Sequence, residues 1–87
     1  MTIDRRGNNA MTRLRLCHIA PLVCRGGGIA VRRYMKTMLA GEEALPISVI
    51  KQRGRYRYRI FDGAHRARAA RRIGRRTIQA TIIADET

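Results

Sequence analysis

Acid is scarce in this chain: six aspartates and glutamates stand against 17 arginines and two lysines, for a formal net charge of +13. Phosphoryl chemistry usually needs magnesium held by one or two carboxylates, and Asp62, Glu42 and Glu43 are the only acids expected within the folded region. Cysteine is nearly as rare. Cys17 and Cys24 are too few for a disulfide scaffold, and ordinary burial is the expected role of both. The six residues between them are not a usual zinc spacing, so no metal centre is expected from Cys17, His18, Cys24 and His65. No run approaches the roughly 20 apolar residues that span a bilayer, and the first residues lack the apolar stretch of a secretion signal. The expectation is a soluble cytoplasmic protein without a membrane partner. A length of 87 residues provides for one core and no second domain.

What is present is organised. Residues 1–12 are polar and read as a flexible leader, 13–84 as a single domain, and 85–87 as a tail. Alternation over 13–19 predicts a strand, with Leu14, Leu16 and His18 on one side. Pro21 ends it, and Gly26, Gly27 and Gly28 make a loop before a helix over 29–40, whose apolar stripe is Val31, Met35, Met38 and Leu39. Pro46 opens a strand through Ile50. Residues 52–55 turn it back into a second one, where Tyr56, Tyr58 and Ile60 alternate with Arg55, Arg57 and Arg59. Residues 64–73 are strong helix formers closed by Gly74, and Ile78, Ala80 and Ile82 mark a last strand. The order strand, helix, strand, strand, helix, strand gives an α+β fold, a small mixed sheet of about four strands with two helices.

The junction between the third strand and second helix reads Asp62-Gly63-Ala64-His65-Arg66. On a helical wheel Ala69, Ala70 and Ile73 form the buried stripe, and Arg66 falls on it, while Arg68, Arg71, Arg72 and Arg75 lie opposite. A guanidinium directed along the core side needs either a carboxylate, with Asp62 the nearest, or an incoming phosphate. Helix starts leave N–H groups unpaired and carry partial positive charge, Gly63 permits close approach, and His65 adds a ring donor. The plainer alternative makes Asp62 a helix cap, Gly63 a turn residue and His65 a surface histidine.

The run from Tyr58 through Ala70, followed by Gly74 and Ile78-Gln79-Ala80, is similar to the pattern of the ParB/sulfiredoxin superfamily, the ParB-like nuclease domain family. There a strand leads into a Gly-x-x-Arg turn, an alanine-rich helix, a glycine and a strand. Leu45-Pro46-Ile47-Ser48-Val49 resembles the preceding family strand, and 29–41 its first helix. Three relatives share the turn. Partition ParB proteins carry Gly-Glu-Arg-Arg and bind CTP through it, sulfiredoxins carry Gly-Cys-His-Arg and hold ATP phosphates, and free-serine kinases carry Asp-Gly-His-His-Arg. Here Ala64 stands where sulfiredoxin keeps its thiol, and a methyl group cannot be a nucleophile. It also replaces the glutamate of the partition form. The four residues after Ile83 cannot hold a helix-turn-helix, so sequence-specific centromere binding is not expected.

The resemblance implies a bacterial protein of plasmid, phage or chromosome maintenance or regulation. Phosphate binding falls to Gly63, Ala64, His65 and Arg66, with ATP or CTP and magnesium as the implied cofactors. Nucleic acid is the partner suggested by the charge, through Arg55, Arg57 and Arg59 on the strand and Arg68, Arg71, Arg72 and Arg75 on the helix. A nuclease or nucleotide-dependent phosphotransferase is the alternative, with Asp62 as base or metal ligand, His65 as acid or phosphate donor and Arg66 as clamp. A third reading is a non-catalytic accessory protein. Oligomeric state has no signature in the sequence.

Overall fold

A computed structural model describes residues 11–22, 27–42 and 45–87. Residues 1–10 of the expected leader, Cys24, Gly26 and Glu43 lie outside the described residues. The elements are β1 (Met11–Arg15), a 3-10 turn (Leu16–His18), α1 (Gly28–Leu39), β2 (Ile47–Lys51), β3 (Tyr58–Asp62), α2 (Ala64–Arg72) and β4 (Thr77–Asp85). The expected order of strands and helices holds. The sheet runs β1-β4-β2-β3, with β1/β4 and β2/β3 antiparallel and β2/β4 parallel.

The core forms where the alternating apolar residues of the strands meet the helices. Leu14, Ile47, Val49, Ile78, Ala80 and Ile82 face Val31, Met38, Ala67 and Ala70. Ile19 and Ile47 have 0% exposure, each worth roughly 1.5–3 kcal/mol of burial. Alanines on the inner side of α2 let its backbone lie close to the sheet, and α1 packs against α2. No helix among the described residues is long and apolar enough to cross a membrane.

Four local expectations are corrected. β1 begins at Met11 and stops at Arg15, because the chain turns through Leu16–His18 and the Leu16 amide donates to the Arg76 carbonyl at 2.9 Å. Ile19 then forms a parallel bridge to Tyr58, and the Ala20 amide donates to the Tyr58 carbonyl at 2.9 Å. Cys17 is exposed rather than buried. On α1, Leu39 is exposed, and Tyr34 and Met35 complete the packed stripe with Val31 and Met38, an i, i+3, i+4, i+7 set. Tyr56 lies outside β3, in the connection from β2.

Candidate functional site

The start of β2, the end of β3 and the start of α2 meet at Gly63. This residue adopts φ +100°, a left-handed conformation in which a side chain is strained, and caps α2 without a side-chain hydrogen bond. Asp62 is therefore not the helix cap. The fit around Gly63 is tight: a Cβ there would sit 2.6 Å from Ile47 Cγ2 and 3.1 Å from an Arg66 Nη2. The first intrahelical bond of the new helix runs from the Ala67 amide to the Gly63 carbonyl at 3.0 Å. The amides of Ala64, His65 and Arg66 precede it and have no carbonyl of their own helix to meet. No acid occupies that first turn.

Arg66 lies on the core side, as its position on the wheel requires. Its side chain is 12% exposed and salt-bridges Asp62 at 3.3 Å. Nη1 also donates to the Leu45 carbonyl at 3.0 Å and the Pro46 carbonyl at 3.2 Å. These carbonyls hold the guanidinium beside Gly63 and tie α2 to the entry of β2. His65 is half-buried and seated on backbone, since a Cβ on Gly27 would lie 2.4 Å from its Nε2. Gly27 is the residue before α1, and its carbonyl accepts from the Val31 amide at 2.8 Å. The two helix starts thus adjoin through one imidazole.

These groups share a cleft of about 290 Å³ lined by Asp62, Gly63, Ala64, His65 and Arg66 together with Leu22, Tyr34, Ile60 and Phe61. A second hollow of about 290 Å³ continues from it, sharing Leu22, Ile60 and Ala64 and adding Arg68 and Arg71. Asp62 is the one carboxylate lining either hollow among the described residues, and its side chain is 72% exposed. Glu42 lies elsewhere, beside Arg13 and Arg75. Among the described residues no three or more of His, Cys, Asp and Glu gather as metal ligands.

The arginines expected to form a nucleic-acid face are divided. Arg71 donates to the Leu16 carbonyl at 3.1 Å and the Ile19 carbonyl at 2.7 Å, closing α2 over the crossing that follows β1. Arg75 donates to the Met38 carbonyl at 3.2 Å. Arg59 is paired with Glu86 at 2.5 and 3.0 Å, and this hydrogen-bonded contact holds the Glu86 carboxyl below its ordinary value while raising Arg59. Arg55 lies over the Tyr56 ring, 5.5 Å from its centroid, and shares a hollow with Arg71. Arg57 and Arg72 are exposed, and Arg68 lines the cleft continuation. A helical wheel does not reveal the distant carbonyls that a long guanidinium such as that of Arg71 can reach.

Sequence reasoning found the turn and missed the rest of the cleft's lining. Leu22, Tyr34 and Phe61 carry no local signature, and Gly27, expected only as part of a loop, lies against the His65 ring. The sequence matches the ParB N-terminal domain over residues 29–87. Among solved structures it is similar to sulfiredoxin from Arabidopsis thaliana, at 27% identity and a TM-score of 0.71, with 86% of this chain and 85% of that chain covered. No curated protein matches it.

Proposed function

Because the chain belongs to the ParB N-terminal domain family, we propose that it binds nucleotide phosphates at the Gly63–Arg66 turn, within the maintenance or regulation of a chromosome, plasmid or phage. The observation that carries this reading is the convergence of three amides free of helix partners, the His65 ring and the Arg66 guanidinium on one cleft, where Asp62 is the single carboxylate among the described residues. An anion there meets N–H groups and the positive end of a helix dipole. Gly63 lets it approach the backbone, and Ala64 adds only a methyl group beside the amides.

A cleft of about 290 Å³ is at the small end of ligand sites, which suits the phosphates of ATP or CTP, with sugar and base extending toward Leu22 and Ile60. Magnesium, when it accompanies the nucleotide, keeps several waters and takes one or two carboxylates, and Asp62 is the residue able to reach it. Binding is favoured over nuclease or phosphotransferase chemistry because Asp62 already accepts from Arg66, and Arg66 is fixed by two backbone carbonyls. A sulfiredoxin reaction is not proposed, since Ala64 offers no thiol. Nucleic-acid binding through the expected strand and helix arginines loses support, because Arg59, Arg71 and Arg75 serve contacts within the chain.

Thermal unfolding with ATP, CTP and pyrophosphate, on the wild type and His65→Asp, tests the reading. The variant keeps its helix because a carboxylate in the first turn is favourable by about 0.3–1 kcal/mol, yet it repels phosphate. Ligand at 100 times its Kd should stabilise the wild type by about 2.7 kcal/mol and leave the variant unmoved. Equal stabilisation of both proteins, or none by any of the three ligands, would overturn it. Magnesium-dependent release of phosphate or nicking of plasmid DNA, abolished in His65→Asp, would restore the catalytic reading.

A further inference from the structure

Both helices end in the same way, and each end fixes a charged residue. Gly41 and Gly74 have φ of +88° and +83°, and the residue after each folds its amide back over the last helical turn. The Glu42 amide donates to the Thr37 carbonyl at 3.2 Å, and the Arg75 amide to the Ala70 carbonyl at 2.9 Å. Since α1 packs against α2, a carboxylate and a guanidinium are planted beside one another. They line one hollow of about 40 Å³ together with Arg13, whose Nη1 donates to Thr77 Oγ1 at 3.3 Å. The buried lining of this hollow is apolar, formed by Met38, Ala70 and Ile78, whereas Arg13, Glu42 and Arg75 are exposed.

The opposite charges in this hollow do not close onto one another. Among the described residues the ion pairs are Arg59–Glu86 and Arg66–Asp62, so the Glu42 carboxylate reaches neither Arg13 nor Arg75 although it shares the hollow with both. Each guanidinium is held by one contact, Arg75 by the Met38 carbonyl at 3.2 Å and Arg13 by Thr77, which leaves most of its five N–H donors for another partner. A carboxylate just past a helix C-terminus meets the negative end of the dipole, so α1 gains nothing from Glu42 there.

We infer that this hollow is a binding site for a small aliphatic α-amino acid, distinct from the Gly63 cleft. The zwitterion carries both charges that the hollow leaves unmatched. Its carboxylate meets the guanidinium groups of Arg13 and Arg75, and its ammonium meets the Glu42 carboxylate. A phosphate or a dicarboxylate would match the arginines but be repelled by Glu42. Met38, Ala70 and Ile78 take the side chain, and their space sets its size. One water needs roughly 10–15 Å³, so about 40 Å³ holds roughly three heavy atoms, the isopropyl group of valine. A phenyl ring is too large.

Titration of the full-length protein with L-valine, followed by NMR shifts of its backbone amides, reads the site directly. Binding should saturate with a Kd of about 1 mM or tighter, within reach of a ligand this small, and the largest shifts should fall at Glu42 and residues 75–79. Valinamide lacks the carboxylate and 3-methylbutanoate the ammonium, so each should bind about tenfold more weakly or worse, as should L-phenylalanine. These ligands probe the contacts without altering the protein. Glu42 is exposed and unpaired, so Glu42→Gln should keep the wild-type spectrum beyond its neighbours and bind valine no more tightly than wild type binds 3-methylbutanoate. No saturation by valine below about 20 mM would overturn the proposal. So would valinamide, 3-methylbutanoate or phenylalanine binding as tightly as valine, undiminished valine affinity in Glu42→Gln, or shifts confined to residues 63–66.

Discussion

Replacing Gly63 by alanine isolates the packing that builds the cleft. The residue has φ +100°, where an L side chain costs about 1–2 kcal/mol. The new methyl would also lie 2.6 Å from Ile47 Cγ2 and 2.9 Å from Ile47 Cβ. Ile47 has 0% exposure and opens β2, so it has nowhere to retreat, and overpacking of this kind costs about 1–3 kcal/mol. The sum is about 2–5 kcal/mol, against a total stability of roughly 4–13 kcal/mol expected for 87 residues. Gly74→Ala supplies the comparison, because Gly74 has φ +83° but open space where its Cβ would go. Urea denaturation should give a loss for Gly63→Ala that exceeds the Gly74→Ala loss by the overpacking cost. In thermal melts each kcal/mol corresponds to about 4–8 °C. Losses equal to within about 0.5 kcal/mol would refute the claim that Gly63 is fixed by Ile47 as well as by its backbone angle.

Two further outcomes follow from the contacts around α2 and β4. Arg71→Ala removes the donor shared by the Leu16 and Ile19 carbonyls and should cost about 1–3 kcal/mol, while Arg72→Ala, one residue on and exposed, should stay within about 0.5 kcal/mol, both read by urea melts. The second concerns acid. Hydrogen bonding to Arg59 lowers Glu86, and hydrogen bonds from Thr87 lower Asp85. Their stabilisation is therefore present above the ordinary carboxylate range, about pH 4, and lost as the pH falls through the depressed folded values. Melts from pH 2 to 7 should show a shallower acid limb for Glu86→Gln than for wild type, and identical limbs would count against the pairing.

The order of elements was legible because strand alternation and helical spacing both leave apolar signatures, and in Ile47, Val49, Val31, Met38, Ile78 and Ile82 those signatures matched burial. The first strand misled for a physical reason. Leu16 continues the alternation begun at Leu14, yet it is buried by a turn that carries the chain inward, and period two cannot distinguish these cases. Met11 and Thr12 belong to β1 through their pairing with Thr81 and Ala80, a ladder that asks little of side chains and so leaves no pattern. At the site, the ion pair between Asp62 and Arg66 was visible because the partners are four residues apart. The Leu45 and Pro46 carbonyls, and Gly27 beneath His65, were not, because such contacts depend on where distant segments arrive.

The pairing of β1 with β4 also orders the assembly of the chain in time. Every rung of β1 is made with residues 77–81, so none of that ladder can form until the last strand is present. The β2–β3 hairpin has its partner close at hand in sequence and needs no such wait. Arg71 then fastens the Leu16 and Ile19 carbonyls from more than 50 residues away. Closing so long a loop before any contact rewards it is entropically costly, which makes the attachment of the first strand a late event on the way to the native state.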